Sequence, residues 1–178
     1  MKKLLLGSII ILGMIIIYFV ISTYPRDIHI NAEGMKYRLG NENIGKEESV
    51  RIKIDGKLYK SIAGNKTFKG IITIEGEEIP VPENQRQLEI HFRKERYGSV
   101  VYTYIEDGKP YMFNYGTIYI DKSFSKATFT VFDRMDNNQG TWSADNGIMI
   151  SVPAYDRGEA LGISNMLMNK YLDGYVLK

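Results

Sequence analysis

Cysteine is absent from the 178-residue chain. The protein therefore has no disulfide, no thiolate metal ligand, no cysteine nucleophile and no cysteine that could carry an N-terminal lipid. Its fold must be stabilised by packing alone. Histidine is nearly absent as well, because the chain contains only His29 and His91. These two lie far apart in the sequence, so it contains no H-E-x-x-H motif of the kind found in zinc enzymes.

An excess of charge is also lacking. The chain has 23 basic and 21 acidic residues, and setting aside Lys2 and Lys3 leaves 21 of each. A protein that binds nucleic acid needs a basic surface to neutralise phosphate groups. The balanced composition therefore argues against a nucleic-acid partner.

Catalytic motifs are missing from the sequence. No serine lies in a G-x-S-x-G motif, and the stretch GNKT, residues Gly64 to Thr67, lacks the glycine pattern of a phosphate-binding loop. We therefore expect a non-enzymatic protein without a cofactor. The alternative is a cell-envelope hydrolase that uses a pair of carboxylates among Asp133, Asp136 and Asp145, as glycosidases do.

The first 25 residues contain a long apolar run. After Lys2 and Lys3 the chain is uncharged from Leu4 to Pro25, a length that spans ~33 Å as a helix and suffices for a hydrocarbon core of ~30 Å. This predicts a transmembrane anchor over residues 1–25, or an uncleaved signal. The alternative is a signal peptide cleaved near Val20 to Ser22 to give a secreted β-domain, but the run exceeds the ~7–15 apolar residues typical of such peptides.

Basic residues flank both ends of this run, so counting them does not decide its orientation. A long C-terminal domain, however, crosses the membrane largely regardless of its charge. A chain without cysteine also has no reason to avoid an oxidising compartment. We therefore expect a single-pass protein of the cell membrane with its C-terminal domain on the extracytoplasmic side.

The remainder of the chain has the pattern of a mainly β protein. Residues 26–48 carry mixed charge and several glycines, which predicts an irregular lead-in or stalk with at most a short strand at DIHI. From Ser49 onward apolar and polar residues alternate, as in SVRIKID and LEIHF, with the period of a strand that buries one face. We expect residues 49–178 to fold alone as an antiparallel sheet or sandwich-like domain.

Turn residues divide this domain into strands. Asp55–Gly56, Glu75–Gly76 and Asp107–Gly108 predict hairpin turns, because glycine supplies the positive φ that a tight turn needs. Pro80 and Pro82 exclude a central strand after the second turn, since proline cannot donate to the sheet. Further strands are predicted at GTIYI, KATFTVF and GIMISVP.

The last segment changes to a helical period, which predicts a helix over residues 157–172. Asp156 and Glu159 have the spacing of a capping box, and Gly174 occupies a position typical of a helix C-terminus. The helix carries an apolar stripe that we expect to cover the sheet, although a methionine-containing stripe also suits a partner protein. The stripe consists of Ala160, Leu161, Ile163, Leu167, Met168, Tyr171 and Leu172.

A polar segment, DRMDNNQGTWSADNG (Asp133 to Gly147), separates the last two predicted strands. Asp136, Asn138 and Asp145 are candidate metal ligands, because calcium prefers oxygen donors of this kind. The spacing does not fit the known calcium loop, however: glycine comes one position early and no glutamate closes it. Asn, Asp and Gly also form turns for backbone reasons, so we interpret the segment as a structured turn with Trp142 at the edge of the core.

Tyrosines are concentrated in the middle of the domain. Tyr102 and Tyr104 alternate with aliphatic residues in VVYTYI, as Tyr115 and Tyr119 do in YGTIYI. If the aliphatic side chains face the core, these four tyrosines form an outward-facing surface suited to a glycan or a peptide. Since tyrosine is also a good strand former, ordinary sheet composition is the alternative.

The stretches KYRLGNENIG, FKGIITIEGEEIP and ADNGIMISVPA resemble a group of uncharacterised small proteins of Gram-positive bacteria that have one N-terminal hydrophobic segment. The resemblance covers most of the chain and implies a place in the cell envelope. It implies no activity and no site residues. With the features above, it leads us to expect a membrane-anchored domain that binds or assembles with a protein or glycan of the envelope.

Overall fold

The computed structural model describes residues 2–94, 96–134 and 140–178. Short 3-10 helices lie at Asn41–Asn43 and Glu83–Gln85. The other elements, in chain order, are α1 (Lys2–Thr23), β1 (Arg26–Arg38), β2 (Glu48–Lys60), β3 (Lys66–Ile74), β4 (Leu88–Phe92), β5 (Tyr97–Glu106), β6 (Lys109–Ile120), β7 (Ala127–Val131), β8 (Asp133–Arg134), β9 (Gly140–Thr141), β10 (Ile148–Val152) and α2 (Arg157–Leu172).

Eight of these strands form one antiparallel sheet in the order β4-β3-β2-β1-β10-β7-β6-β5, while β8 pairs with β9. The two edge strands are joined by a tight turn, in which the Arg93 N–H donates to the Tyr97 carbonyl at 2.9 Å. Gly98 of β5 lies directly against Ile90 of β4. The sheet is therefore curled until it is nearly closed. This confirms the predicted mainly β, antiparallel fold, but a single curled sheet takes the place of a sandwich.

The helix α1 precedes the sheet, and Tyr24 and Pro25 connect it to β1. Several of its described apolar side chains are exposed, among them Ile17, Val20 and Ile21. Within the part of the chain whose side chains the structure describes, no helix is long and apolar enough to cross a membrane.

The prediction of an irregular lead-in over residues 26–48 is wrong for its first half. Arg26–Arg38 forms β1, which lies between β2 and β10 in the middle of the sheet. Its apolar alternation is imperfect because the strand contributes to two cores. Ile28 points into the curled sheet, whereas Met35 and Tyr37 face α2.

The predicted hairpin turn at Asp55–Gly56 is also wrong, because β2 runs straight through these residues. Gly56 pairs with Gly70 of β3. A Cβ on either glycine would lie 2.7 Å from the Cα of the other. Glycine is therefore needed here for the close approach of two strands, and not for a turn.

The other two turns form where the sequence predicts them. The chain turns at Glu75–Gly76, but no strand follows directly in residues 77–87, in keeping with the two prolines there. The hairpin at Asp107–Gly108 joins β5 to β6, with φ angles of 50° and 74° at the two turn residues. This second turn is confirmed in full.

An inner core fills the space enclosed by the curled sheet. Val50, Ile52 and Ile54 of β2 point into it, while Arg51 and Lys53 between them are exposed. The alternation predicted for this strand is thus confirmed.

One end of the inner core is closed by Phe124, from the connection between β6 and β7. Its ring stacks on Phe68 with centroids 5.7 Å apart and meets Phe92 edge-on at 5.8 Å. This is the end of the sheet where β1 begins, next to α1, and we call it the basal end. The opposite end, where β1, β3, β5 and β7 finish, is the distal end.

An outer core lies between the sheet and α2. Its buried side chains include Met35, Tyr37 and Met149 from the sheet and Leu167 and Met168 from the helix. The predicted helix over residues 157–172 is confirmed, and so is its use to cover the sheet. The Asp156 carboxylate accepts a hydrogen bond from the Glu159 N–H at 2.8 Å, as a helix cap should. Trp142 packs at the edge of this core.

Four buried hydroxyl groups connect α2 to the sheet. The Ser164 hydroxyl lies 2.7 Å from the Tyr37 hydroxyl, 2.7 Å from that of Thr128 and 2.8 Å from that of Ser151. Burial raises the pKa of Tyr37, partly offset by these hydrogen bonds. Each hydroxyl group meets its need for a hydrogen bond through another hydroxyl in this buried interface. The network therefore fixes the position of the helix on the sheet.

Candidate functional site

The distal end is covered by residues 75–87, the connection between β3 and β4. The Arg86 side chain holds this segment in place, donating to the carbonyls of Val81 at 2.8 Å and Ile79 at 3.1 Å. The Gln85 amide binds both the N–H and the carbonyl of Ile105 in β5. The covering segment is thus tied to itself and to the hairpin of β5 and β6.

One carboxylate of this segment, Glu77, is turned inward, with only 14% of its side chain exposed. The Lys36 ammonium of β1 donates to one of its oxygens at 2.6 Å. The Tyr115 hydroxyl of β6 donates to the other at 3.1 Å. Three distant parts of the chain therefore meet at one carboxyl group.

A second ion pair lies nearby on the same strand. The Arg38 guanidinium makes a two-pronged contact with Asp133, at 2.7 and 2.9 Å, and also donates to the Asn146 carbonyl. The hydrogen bonds from Arg38 to Asp133 raise the pKa of the guanidinium above its ordinary value, against a smaller opposing effect of burial. Asp133 is thereby paired with a cation and fixed in position.

These groups border an open cleft of about 390 Å³. Phe113, Tyr115 and Phe132 form its aromatic walls, and Glu77 and Asp133 its polar border. A second cleft, of about 210 Å³, lies on the other side of Phe113 and Phe132. We call the two clefts together the distal groove.

The second cleft is lined by the hairpin of β5 and β6 and by residues near β9. Aromatic side chains with a few fixed polar groups are typical of the lining of ligand sites. The lining residues are Pro80, Tyr104, Met112, Phe113, Asn114, Phe132 and Gly140.

A small cavity of about 40 Å³ lies deeper, under the covering segment. Its wall includes Tyr102, Tyr115, Glu77 and Arg86 among aliphatic side chains. Burial raises the pKa of Tyr102 to about 12, against a smaller opposing effect of the Arg86 charge. The cavity is large enough for ordered water but too small for an organic ligand, so a ligand must use the open groove.

The predicted outward-facing tyrosine surface is wrong for three of its four residues. Tyr102 and Tyr115 are buried in the inner core, and Tyr119 is buried in the outer core. Tyr104 is half-buried and stacks on Tyr111 with ring centroids 5.6 Å apart. Of the four, Tyr104 lines the distal groove and Tyr115 contributes to its wall.

Two structural reasons explain this difference. In β5 the tyrosine face is the buried one: Val100 and Tyr102 point into the inner core, whereas Ile105 on the opposite face is 62% exposed. The register between β5 and β6 shifts after Val100, passing from Gly116 to Asn114, so that Tyr115 lies at a bulge. A bulge reverses the phase of a strand, so Tyr115 points inward although Tyr119 points to the opposite face.

The candidate metal ligands are only partly described by the structure. Asp136 and Asn138 lie outside the described residues. Asp145 accepts a hydrogen bond from the Tyr175 hydroxyl at 2.9 Å, which is the main reason that the pKa of this tyrosine is raised. Among the residues that the structure describes, no group of three His, Asp or Glu side chains is placed to hold a metal ion.

Sequence reasoning missed Glu77, Lys36 and Arg38 as site residues. Each occurs among other charged residues in a segment where it resembles an ordinary surface charge. Pro80 and Pro82, beside Glu77, were a usable signal, because they indicate a fixed irregular segment across the end of a sheet. Neither a protein-family model, nor a curated protein, nor a solved structure matches the chain.

Proposed function

We propose that the protein is a membrane-anchored binding domain on the extracytoplasmic side of the cell membrane, and that the distal groove holds its ligand. The observation that carries this proposal is the groove itself: two adjoining clefts share Phe113 and Phe132, with paired charges at the border. Two adjoining clefts with shared aromatic walls suit an extended polymer. The ligand is therefore a peptide or glycan segment of the cell envelope.

The anchor is supported by the uncharged run from Leu4 to Pro25 and by α1. Exposed apolar side chains such as Ile17 and Ile21, which are 60% and 72% exposed, favour a hydrocarbon environment over water. The groove lies at the end of the sheet farthest from α1. This arrangement leaves the groove facing away from the membrane.

Binding is favoured over hydrolysis by the state of the carboxylates. Asp133 is engaged by Arg38, and Asp145 by Tyr175. A general base must be free to reach a proton of the substrate or of a water molecule. Carboxylates held by cations and hydroxyls are better suited to fixing the shape of a site.

The anchor is tested by membrane fractionation with mass spectrometry of the N-terminus. The expected product is an intact chain in the membrane fraction. A soluble product that begins near Thr23 would instead establish a cleaved signal and a secreted domain.

The groove is tested by titrating the full chain, in detergent micelles, with soluble peptidoglycan fragments and with short peptides while recording NMR spectra. We expect amide signals of the groove to shift, and Phe132→Ala to weaken binding by roughly tenfold or more, as loss of an aromatic anchor does. Tyr59→Ala, on the outer surface of β2, is the control. Equal binding by the two variants contradicts the proposal, and release of cleaved products supports the hydrolase.

A further inference from the structure

Basic side chains from separate parts of the chain meet at the basal end. Arg26 begins β1, Lys60 ends β2, Lys66 begins β3 and Arg96 precedes β5. The antiparallel pairing brings them together, since Lys60 lies opposite Lys66. The connection between β6 and β7 adds two more cations. We call these six residues the basic end: Arg26, Lys60, Lys66, Arg96, Lys122 and Lys126.

Direct contacts hold this group together. The Arg26 guanidinium donates to the Ser123 carbonyl, and the Lys66 ammonium donates to the Lys122 carbonyl at 3.3 Å. Burial lowers the pKa of Lys66, and the charges of Arg26, Arg96 and Lys60 lower it further. The cations therefore lie close enough to repel one another.

The acidic groups described at this end are already engaged. Asp121 accepts hydrogen bonds from Ser123, Ser125 and the Lys126 N–H. Asp27 pairs with Lys57 at 3.3 Å. Glu95 lies outside the described residues. Asp121 remains charged and offsets part of the repulsion at Lys66, and Glu159 lines a surface pocket together with Lys126. The six cations nevertheless outnumber these described carboxylates, although the chain beyond α1 is neutral as a whole.

The basic end is also the end that faces α1. Only Tyr24 and Pro25 separate the end of α1 from Arg26. If α1 crosses the bilayer, Arg26 lies at the level of the lipid headgroups, and the other cations face the same surface. This step rests on the anchor in the proposed function.

We propose that the basic end docks onto anionic phospholipid headgroups, so that the domain is held upright on the membrane with its distal groove outward. The chemistry is attraction between lysine or arginine cations and lipid phosphates. A cation close to an anionic bilayer increases the binding affinity about fivefold, and salt at physiological concentration screens this effect within about 8 Å. Three such cations together increase the affinity for the bilayer by up to ~100-fold.

The absence of cysteine allows a clean test with the full chain. A fluorophore is attached through Ile62→Cys, in the exposed connection of β2 and β3 at the basal end, or through Glu106→Cys at the distal end. The labelled chains are reconstituted into vesicles of phosphatidylcholine alone, or of phosphatidylcholine with phosphatidylglycerol. Both vesicle types contain a lipid whose headgroup carries a nitroxide quencher.

We expect stronger quenching at position 62 when phosphatidylglycerol is present, and no such gain at position 106. High salt should abolish the gain, as should the variant with Lys60→Gln, Lys66→Gln and Lys122→Gln. The matched control removes the same charge elsewhere, through Lys46→Gln, Lys53→Gln and Lys109→Gln, and should keep the gain. Equal quenching in both lipids, or equal behaviour of the two variants, overturns the proposal.

Flotation of the same samples distinguishes docking of the basic end from anchoring by α1. A chain that floats with both vesicle types in high salt is anchored, and quenching then decides whether the basic end docks. A chain that floats only with phosphatidylglycerol vesicles, and only at low salt, lacks the anchor but retains the docking surface. A chain that floats with neither type overturns both.

Discussion

At the scale of single residues, the groups that shape the distal groove are charges held by neighbours from distant parts of the chain. Glu77 receives its partners from β1 and β6, and Asp133 receives its partner from β1. The pair of Glu77 and Lys36 contributes little through attraction alone, because burial removes much of the hydration of the Glu77 carboxylate. Removing one partner is costly, however, since the other is left buried without a counterpart.

We predict that Glu77→Ala lowers the free energy of unfolding by about 1–3 kcal/mol, because the Lys36 ammonium and the Tyr115 hydroxyl lose their acceptor. Urea unfolding followed by circular dichroism measures the change. Glu75→Ala, two residues earlier and exposed, should have almost no effect. Equal effects would show that Glu77 does not hold the covering segment.

A second residue-scale prediction concerns Asp121. Burial raises the pKa of its carboxyl, but hydrogen bonds from Ser123, Lys126 and Ser125 outweigh this and leave the pKa at about 2, below the ~3.9 of an unfolded aspartate. Its stabilising contribution is therefore complete above about pH 4 and is lost as the pH falls toward 2.

Asp121→Asn should accordingly cost about 1 kcal/mol at neutral pH, a value reduced because the carboxyl is partly exposed to solvent. The cost should shrink steadily in urea melts recorded from pH 7 down to pH 2. Glu48→Gln, at an exposed position of β2, serves as the control. A cost that stays constant with pH would contradict the assigned role of the carboxylate.

At the scale of elements, α2 and β1 differ in how well the sequence predicts them. The helix was predictable because its cap, its stripe and its C-terminal glycine all indicate the same boundaries. β1 was not, because its side chains change from the inner core at Ile28 to the outer core at Tyr37. Strand periodicity assumes one buried face, and this strand has two.

The groove was harder to predict than the strands, for similar reasons. Tyr115 points inward because of a bulge, and a bulge depends on the pairing of two strands and not on either sequence alone. Glu77 is buried because Lys36 and Tyr115 reach it from elsewhere in the chain. The pairing of strands across the sheet therefore determines the site. A sequence does not reveal the site unless the register of its strands is known.

The packing of α2 leads to a prediction for Leu167, which is 9% exposed. Leu167→Ala should lower the free energy of unfolding by ~2–5 kcal/mol, through lost burial and the cavity left in the outer core. Thermal melts measure it. Met166→Ala, whose side chain is 52% exposed, should leave the melt almost unchanged. An unchanged melt for Leu167→Ala would mean that α2 is held by other contacts.

The position of β1 replaces our expectation that residues 49–178 fold alone. A chain that begins at Ser49 lacks the strand that joins β2 to β10, and two buried strands then lose their hydrogen-bonding partners. We predict that this chain fails to unfold cooperatively, whereas one that begins at Tyr24 does so. Amide hydrogen exchange with circular dichroism distinguishes the two. A cooperative transition in the shorter chain would show that β1 is dispensable.

At the scale of the whole molecule, a neutral composition conceals a polarised arrangement. Cations gather at the basal end, whereas the connections of the distal end carry mainly acids. The described acids there include Glu42, Glu47, Glu75, Glu77, Glu78, Glu83, Glu106, Asp107, Asp133 and Asp145. The numbers of acidic and basic residues in the sequence argue against a nucleic-acid partner, but they could not show this separation of charge, which the alternating strand directions create.

The pairing of β1 with β10 also sets the order of events during synthesis. Arg38 lies opposite Ile148, so the first strand to emerge receives its second neighbour only after about 110 further residues have been made. At roughly 5–20 residues per second, this takes on the order of 5–20 s. During that time one edge of β1 is unpaired and open to other strands. We therefore expect the newborn chain to be open to pairing with other chains along this edge until its last strand arrives.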